Sequence, residues 1–114
     1  MASPFPPPPD LPQGNPGELL DQLLEPLLRD FGESFERGLL LLDHCPDSVM
    51  EPPARQELLQ RLTNAKAELA AARALRAAAP TPMALAMGTI TAWHALVVEV
   101  WSLSAALRAQ GIRP

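Results

Sequence analysis

One cysteine, Cys45, stands among 114 residues, which excludes an intramolecular disulfide and a zinc site closed by several thiolates of one chain. A reducing, intracellular setting fits that count. Tyr is absent and aromatic residues make up only 4% of the chain, so the core must be built from aliphatic side chains. Val, Ile and Thr, which suit pleated surfaces, are too sparse to furnish several strands. Leu and Ala are abundant and both favour helices, so an all-α fold follows. Charge is also thin at 19% and vanishes over residues 77–98. No catalytic or cofactor signature occurs anywhere, and no nucleophile, base and metal set converges. The expectation is a protein that is not an enzyme and carries no cofactor or metal.

The charges that remain are unevenly placed. Residues 1–51 hold ten Asp or Glu against Arg29 and Arg37, a balance of -8, whereas residues 52–114 hold three acids against seven bases, a balance of +4. An acidic first helix beside a basic second one within a single domain satisfies both halves. Nucleic-acid binding by the basic half fits less well, because Arg55, Arg61, Lys66, Arg73 and Arg76 are interleaved with Glu57 and Glu68 and no recognition motif accompanies them.

Prolines at 4, 6, 7, 8, 9 and 12 favour extended polyproline II in place of a packed core. Residues 1–15 therefore read as a disordered Pro-rich tail, without the basic and apolar regions of a secretory signal, and residues 16–114 as the helical domain. Asn15-Pro16-Gly17-Glu18 has the order of a helix start: an Asn cap, proline at the first helical position and an acid three residues after the cap. From there Leu20, Leu24, Leu27, Phe31, Phe35, Leu39 and Leu42 form an apolar stripe at helical spacing. Glu25 with Arg29 and Glu33 with Arg37 have the spacing of i,i+4 pairs. Pro26 lies within this helix, and a kink is expected near residues 22–26. Gly38 falls near the apolar face, either admitting a neighbouring helix closely or marking a tolerated weak spot.

A second helix opens at Pro52-Pro53 and carries Leu58, Leu62, Ala65, Leu69, Ala72 and Leu75 in steps of four and three, the spacing of a coiled-coil seam. Pro80 stops it. Thr81-Pro82 and, later, Gly88 with Thr89 and Thr91 give two starts for a third helix, anywhere from 82 to 91, which Gly111 and Pro114 close. The expected architecture is a three-helix bundle with a kinked first helix.

Asp43, His44, Cys45 and Asp47 all have side chains that ligate metals. Adjacent positions seldom converge on one ion, so they read as a polar turn closing helix 1. A nucleophilic Cys45 activated by His44 meets the same objection. The third helix is long and apolar enough to raise a membrane span, yet Glu99 lies well inside it and an acid there costs about 2.5 to 3.5 kcal/mol on insertion scales. Its Trp93, Val97, Val100, Ser104 and Leu107 form one face suited to a three-helix core, flanked by Ile90, Leu96 and Leu103. Val98 and Trp101 point to the other side. His94 reads either as a core histidine bonded to a neighbouring helix or as a partner contact. Trp93, His94, Val98 and Trp101 are accordingly the candidate partner-binding residues, for another protein or for self-association.

Leu24-Glu25-Pro26-Leu27-Leu28-Arg29-Asp30-Phe31 and Trp93-His94-Ala95-Leu96-Val97-Val98-Glu99-Val100-Trp101 together resemble a family of small cyanobacterial proteins of unknown function, over roughly residues 18–108. Ala92 stands where that family's pattern has a proline. The resemblance implies a cyanobacterial cytoplasm or thylakoid surface, with peripheral association compatible with it, and supplies no catalytic residues. It concentrates on Glu25, Pro26, Asp30, Trp93, His94, Glu99 and Trp101. The function expected from all of this is a non-enzymatic interaction or assembly factor that docks through an apolar helical surface. The alternative is a carrier or sensor of a tetrapyrrole or other apolar small molecule, held by His94 and the two tryptophans.

Overall fold

The computed structural model describes residues 16–78 and 87–114. Among these the chain forms three helices and no strand: α1 (Pro16–Asp43), α2 (Pro52–Ala78) and α3 (Met87–Ala109). The expected tail over residues 1–15 and any start of α3 before Met87 lie outside the described residues.

The central element is α1. Phe31 and Phe35 stand against Trp93, and Gly38 against Val100, so α1 and α3 run in the same direction. Glu25 meets Arg73 and Arg76 while Glu36 meets Lys66, which sets α2 antiparallel to α1. Both α2 and α3 pack chiefly on α1 and touch each other far less.

This arrangement explains where the apolar stripe of α1 was incomplete. Leu24, Phe31 and Phe35 are buried as its spacing predicts, and Leu39 and Leu42 are half-buried. Leu28 and Leu41, outside the stripe, are also buried, and Leu27 within it is 37% exposed. A helix flanked by two neighbours buries two shoulders as well as the face between them. Pro26 is exposed and α1 continues through it as one helix.

From α2 the core takes Leu58, Leu62, Ala65 and Leu69, but Ala72 is only half-buried and Leu75 is 61% exposed. The seam therefore ends before the helix does. From α3 it takes Trp93, Leu96, Val97, Val100, Leu103 and Leu107. Trp93 is its largest member, 1% exposed. Its ring meets Phe31 edge-on at 5.4 Å and Phe35 at 6.3 Å between centroids, the arrangement aromatic quadrupoles favour. The indole N–H donates to Glu68 Oε2 at 3.3 Å, which gives a buried donor its acceptor.

Both helix boundaries at the described connections have a local cause. Pro52 and Pro53 occupy the first turn of α2, where backbone N–H groups have no helical partner to lose, and Arg55 N–H closes that turn onto the Glu51 carbonyl. At the far end of α3, Gly111 adopts a φ of 76°. The Gly111 N–H donates to Arg108 O at 2.9 Å and the Ile112 N–H to Leu107 O at 2.9 Å, a Schellman cap that satisfies terminal carbonyls and turns Ile112 back onto the core.

Ion pairs connect the acidic and basic halves of the sequence. Glu25 accepts from both Arg73 and Arg76 at 3.0 Å, so it reaches across to α2. Lys66 pairs with Glu36, and Asp47 with Arg55 at 2.6 Å. Arg61 grips Glu99 with two bonds of 2.6 and 2.7 Å, the main polar tie between α2 and α3, and this contact raises the pKa of Arg61 further.

Candidate docking surface

The side chains that suggested chemistry at the α1–α2 turn diverge. Cys45 is buried in the core, His44 Nδ1 lies 3.0 Å from the Leu40 carbonyl of its own helix, and Asp47 turns to Arg55. Arg55 also donates to the Cys45 carbonyl at 2.6 Å, stitching the turn to the start of α2. Burial pushes the Cys45 thiol up, Arg55 pulls it down less strongly and Asp47 adds a smaller upward push. A protonated, buried thiol is a poor nucleophile and a poor metal ligand.

On α3, the four candidate partner-binding residues separate into two groups. Trp93 belongs to the core and is removed from the candidate surface: its indole is enclosed by Phe31, Phe35 and Glu68. The reason is its helical phase, one turn from Val97 and two from Val100, which directs it at α1. His94 is exposed, so the core-histidine reading is corrected. Val98 is 41% exposed and Trp101 61%. A pocket for a tetrapyrrole made by His94 and both tryptophans is not formed, since Trp93 faces inward while His94 and Trp101 face out.

Helical spacing extends this outer face to Thr91, Ala95, Ser102 and Ala105, all exposed. No Asp, Glu, Lys or Arg lies on this face between Thr91 and Ala105, because Glu99 lies on the flank facing α2 and is engaged by Arg61. The Trp101 ring borders a shallow cleft of about 320 Å³ that it shares with Val100 of α3 and Asp30, Glu33, Ser34 and Arg37 of α1. Sequence reasoning singled out Asp30 only through the resemblance and did not connect it, Glu33, Ser34 or Arg37 with Trp101, because only the tertiary packing brings them together. Glu68 and Arg61 were missed for the same reason.

A second and larger cleft, about 790 Å³, opens between α1 and α2. Its floor is Gly32, Leu40, Leu69 and Ala70, and its rim includes Arg29, Arg37, Lys66 and Arg73. The rim is largely engaged: Lys66 with Glu36, Arg73 with Glu25, and Arg37 with the Pro114 carbonyl oxygen at 3.3 Å. Its cations hold the bundle together.

By length and composition the segment Gly88–Ala109 of α3 also meets the requirement for crossing a membrane, with 33% of its most apolar 18-residue stretch buried inside the bundle. A helix that fills a core and a helix that spans a bilayer share this composition.

Over residues 15–109 the sequence matches the family described as "Protein of unknown function (DUF2605)", and the chain belongs to that family. No curated protein and no solved structure matches it.

Proposed function

We propose that the chain is a non-enzymatic interaction or assembly factor that docks a protein partner on the outer face of α3, with Trp101 as the anchor and Val98 and His94 beside it. The observation that carries this reading is the 61% exposure of Trp101 on an uncharged face of a helix whose opposite face already fills the core. Tryptophan is costly to leave in water and is enriched among the residues that dominate interface energies. Asp30, Glu33, Ser34 and Arg37 beside it provide the polar rim that such anchors usually have.

The same reading gives α3 a place in the bundle and none across a membrane. It is supported by Trp93, whose indole has aromatic neighbours and a carboxylate acceptor, and by the Arg61–Glu99 clamp. It requires no nucleic acid and no cofactor. With the resemblance noted above, the reading is compatible with a cyanobacterial cytoplasm or thylakoid surface.

The test is affinity capture of the tagged full chain from its native source, from soluble and detergent-solubilised membrane fractions, with Trp101→Glu alongside. Partner loss from a variant that keeps its helical spectrum and unfolding midpoint supports the reading. Equal capture by both chains, or capture by neither, counts against it.

A further inference from the structure

The outer face of α3 has a property that the docking reading above does not use: it is complementary to itself. We propose that its occupant is a second copy of this chain, with two α3 helices packed antiparallel about a two-fold axis at Val98. The proposal rests on the docking reading of the same face and names its partner.

Three observations carry it. The first is charge. The chain bears a net charge of -4, so two copies carry an overall repulsion, and the outer face of α3 from Thr91 to Ala105 has no Asp, Glu, Lys or Arg to set against its like.

The second is the register. Val98 is the midpoint of α3, which runs Met87–Ala109, so an antiparallel pair crossing there overlaps along its whole length. In that register Val98 faces the partner's Val98, Trp101 faces Ala95, His94 faces Ser102, and Thr91 faces Ala105. Each large side chain meets a small one, and the indole lies over a methyl group. A two-fold contact demands this reciprocity, because whatever one copy offers the other must receive. Antiparallel alignment also sets the helix dipoles head to tail.

The third is area. A helix of this length presents a strip about 34 Å long and about 10 Å wide, a contact of roughly 700 Å² in total over two copies, the size of a weak, transient interface and below the roughly 1,000 Å² of a stable specific one. The expected dimer is thus weak and concentration-dependent, populated where the chain is locally concentrated.

The experiment is analytical ultracentrifugation of the full chain from low-micromolar to near-millimolar concentration, with disulfide trapping of Val98→Cys. Facing Cα atoms in a close helix pair are about 5 Å apart, within disulfide range. Copper phenanthroline with dissolved oxygen as the oxidant should therefore join Val98→Cys chains as dimers. Cys45 is buried and stays in place. Ser102→Cys, which would face His94 of the other copy, should cross-link poorly. Trp101→Glu should weaken the dimer by more than about a hundredfold, since each copy loses its anchor. Ala95→Phe should do so as well by filling the seat of the indole. Both positions are exposed in the single chain, so each variant should keep its helical spectrum.

A chain that remains monomeric at every concentration overturns the proposal. If Trp101→Glu still abolishes capture of a different protein, the docking reading survives with another occupant. A dimer that persists in both variants and fails to trap at Val98→Cys places the contact elsewhere and overturns the proposal too. Co-sedimentation of monomer with anionic phospholipid vesicles would make a lipid surface the occupant, with the same consequence.

Discussion

Replacing Gly38 by alanine puts one methyl group into the space where all three helices meet. A Cβ built there lies 2.7 Å from Val100 Cγ2 and 2.9 Å from Leu62 Cδ1, well inside the roughly 3.5 to 4.0 Å at which carbon atoms pack. Neither neighbour has room to withdraw, since Val100 is 2% exposed and Leu62 is 0% exposed and a β-branched side chain is stiff about χ1. Two effects oppose each other. Alanine gains up to about 1 kcal/mol over glycine in a helix interior, and overpacking costs about 1 to 3 kcal/mol. With two contacts below 3.0 Å, overpacking should win, leaving a net loss of about 1 to 2 kcal/mol. Guanidinium denaturation followed by far-ultraviolet circular dichroism measures it. Gly32→Ala serves as a comparison, because its Cβ meets only the end of the Leu69 side chain, at 3.3 Å, and it should change stability by no more than about 0.5 kcal/mol either way. Adding Val100→Ala to Gly38→Ala should restore part of the loss, so that the double variant is more stable than the sum of the singles predicts. A Gly38→Ala chain as stable as the parent would refute the close three-helix approach.

The two tryptophans should differ in their thermodynamics: Trp93→Ala should cost about 3 to 5 kcal/mol, and Trp101→Ala less than about 0.5 kcal/mol in the isolated chain, both by denaturant titration. Glu68→Ala leaves the indole N–H of Trp93 without its acceptor and should cost about 1 to 3 kcal/mol, with Glu68→Gln recovering much of it in the same titration. Gly111→Ala has open space around it but must adopt a φ of 76°, so the loss should be about 1 kcal/mol and confined to backbone strain. Because burial raises the Cys45 thiol, the unfolded chain gives up this proton first as pH climbs above about 8.5. The thiol's contribution to stability is therefore intact below that pH and lost progressively as pH rises toward the higher folded value. Unfolding titrations at neutral and alkaline pH should show this decline, and Cys45→Ala should lack that part of it.

Much of the bundle was readable from spacing alone. On α3 the period of Trp93, Val97, Val100 and Leu107 marked the core side, and Val98 and Trp101 fell on the other, because a helix packed on its neighbours along one side obeys its own periodicity. On α1 the same reasoning missed Leu28 and Leu41, since a single stripe describes one contact face and this helix has two. The role of Gly38 was open in the sequence, and only the positions of Val100 and Leu62 decide it. The place of His94 was open in the sequence, because a histidine between apolar neighbours has the same sequence signature inside a core and outside it. The partners of Trp93 and Trp101, Glu68 on α2 and Asp30 to Arg37 on α1, arise from tertiary packing that no local pattern encodes.

Hydroxyl-radical footprinting read by mass spectrometry, on the dilute chain and again on the chain in the complexes it forms, tests the central claim most directly. Trp101 should be heavily oxidised when free and protected when docked, with Trp93 unlabelled in both states. If Trp101 is labelled equally in the two states while protection falls on the α1–α2 cleft, the outer face of α3 is not the docking surface.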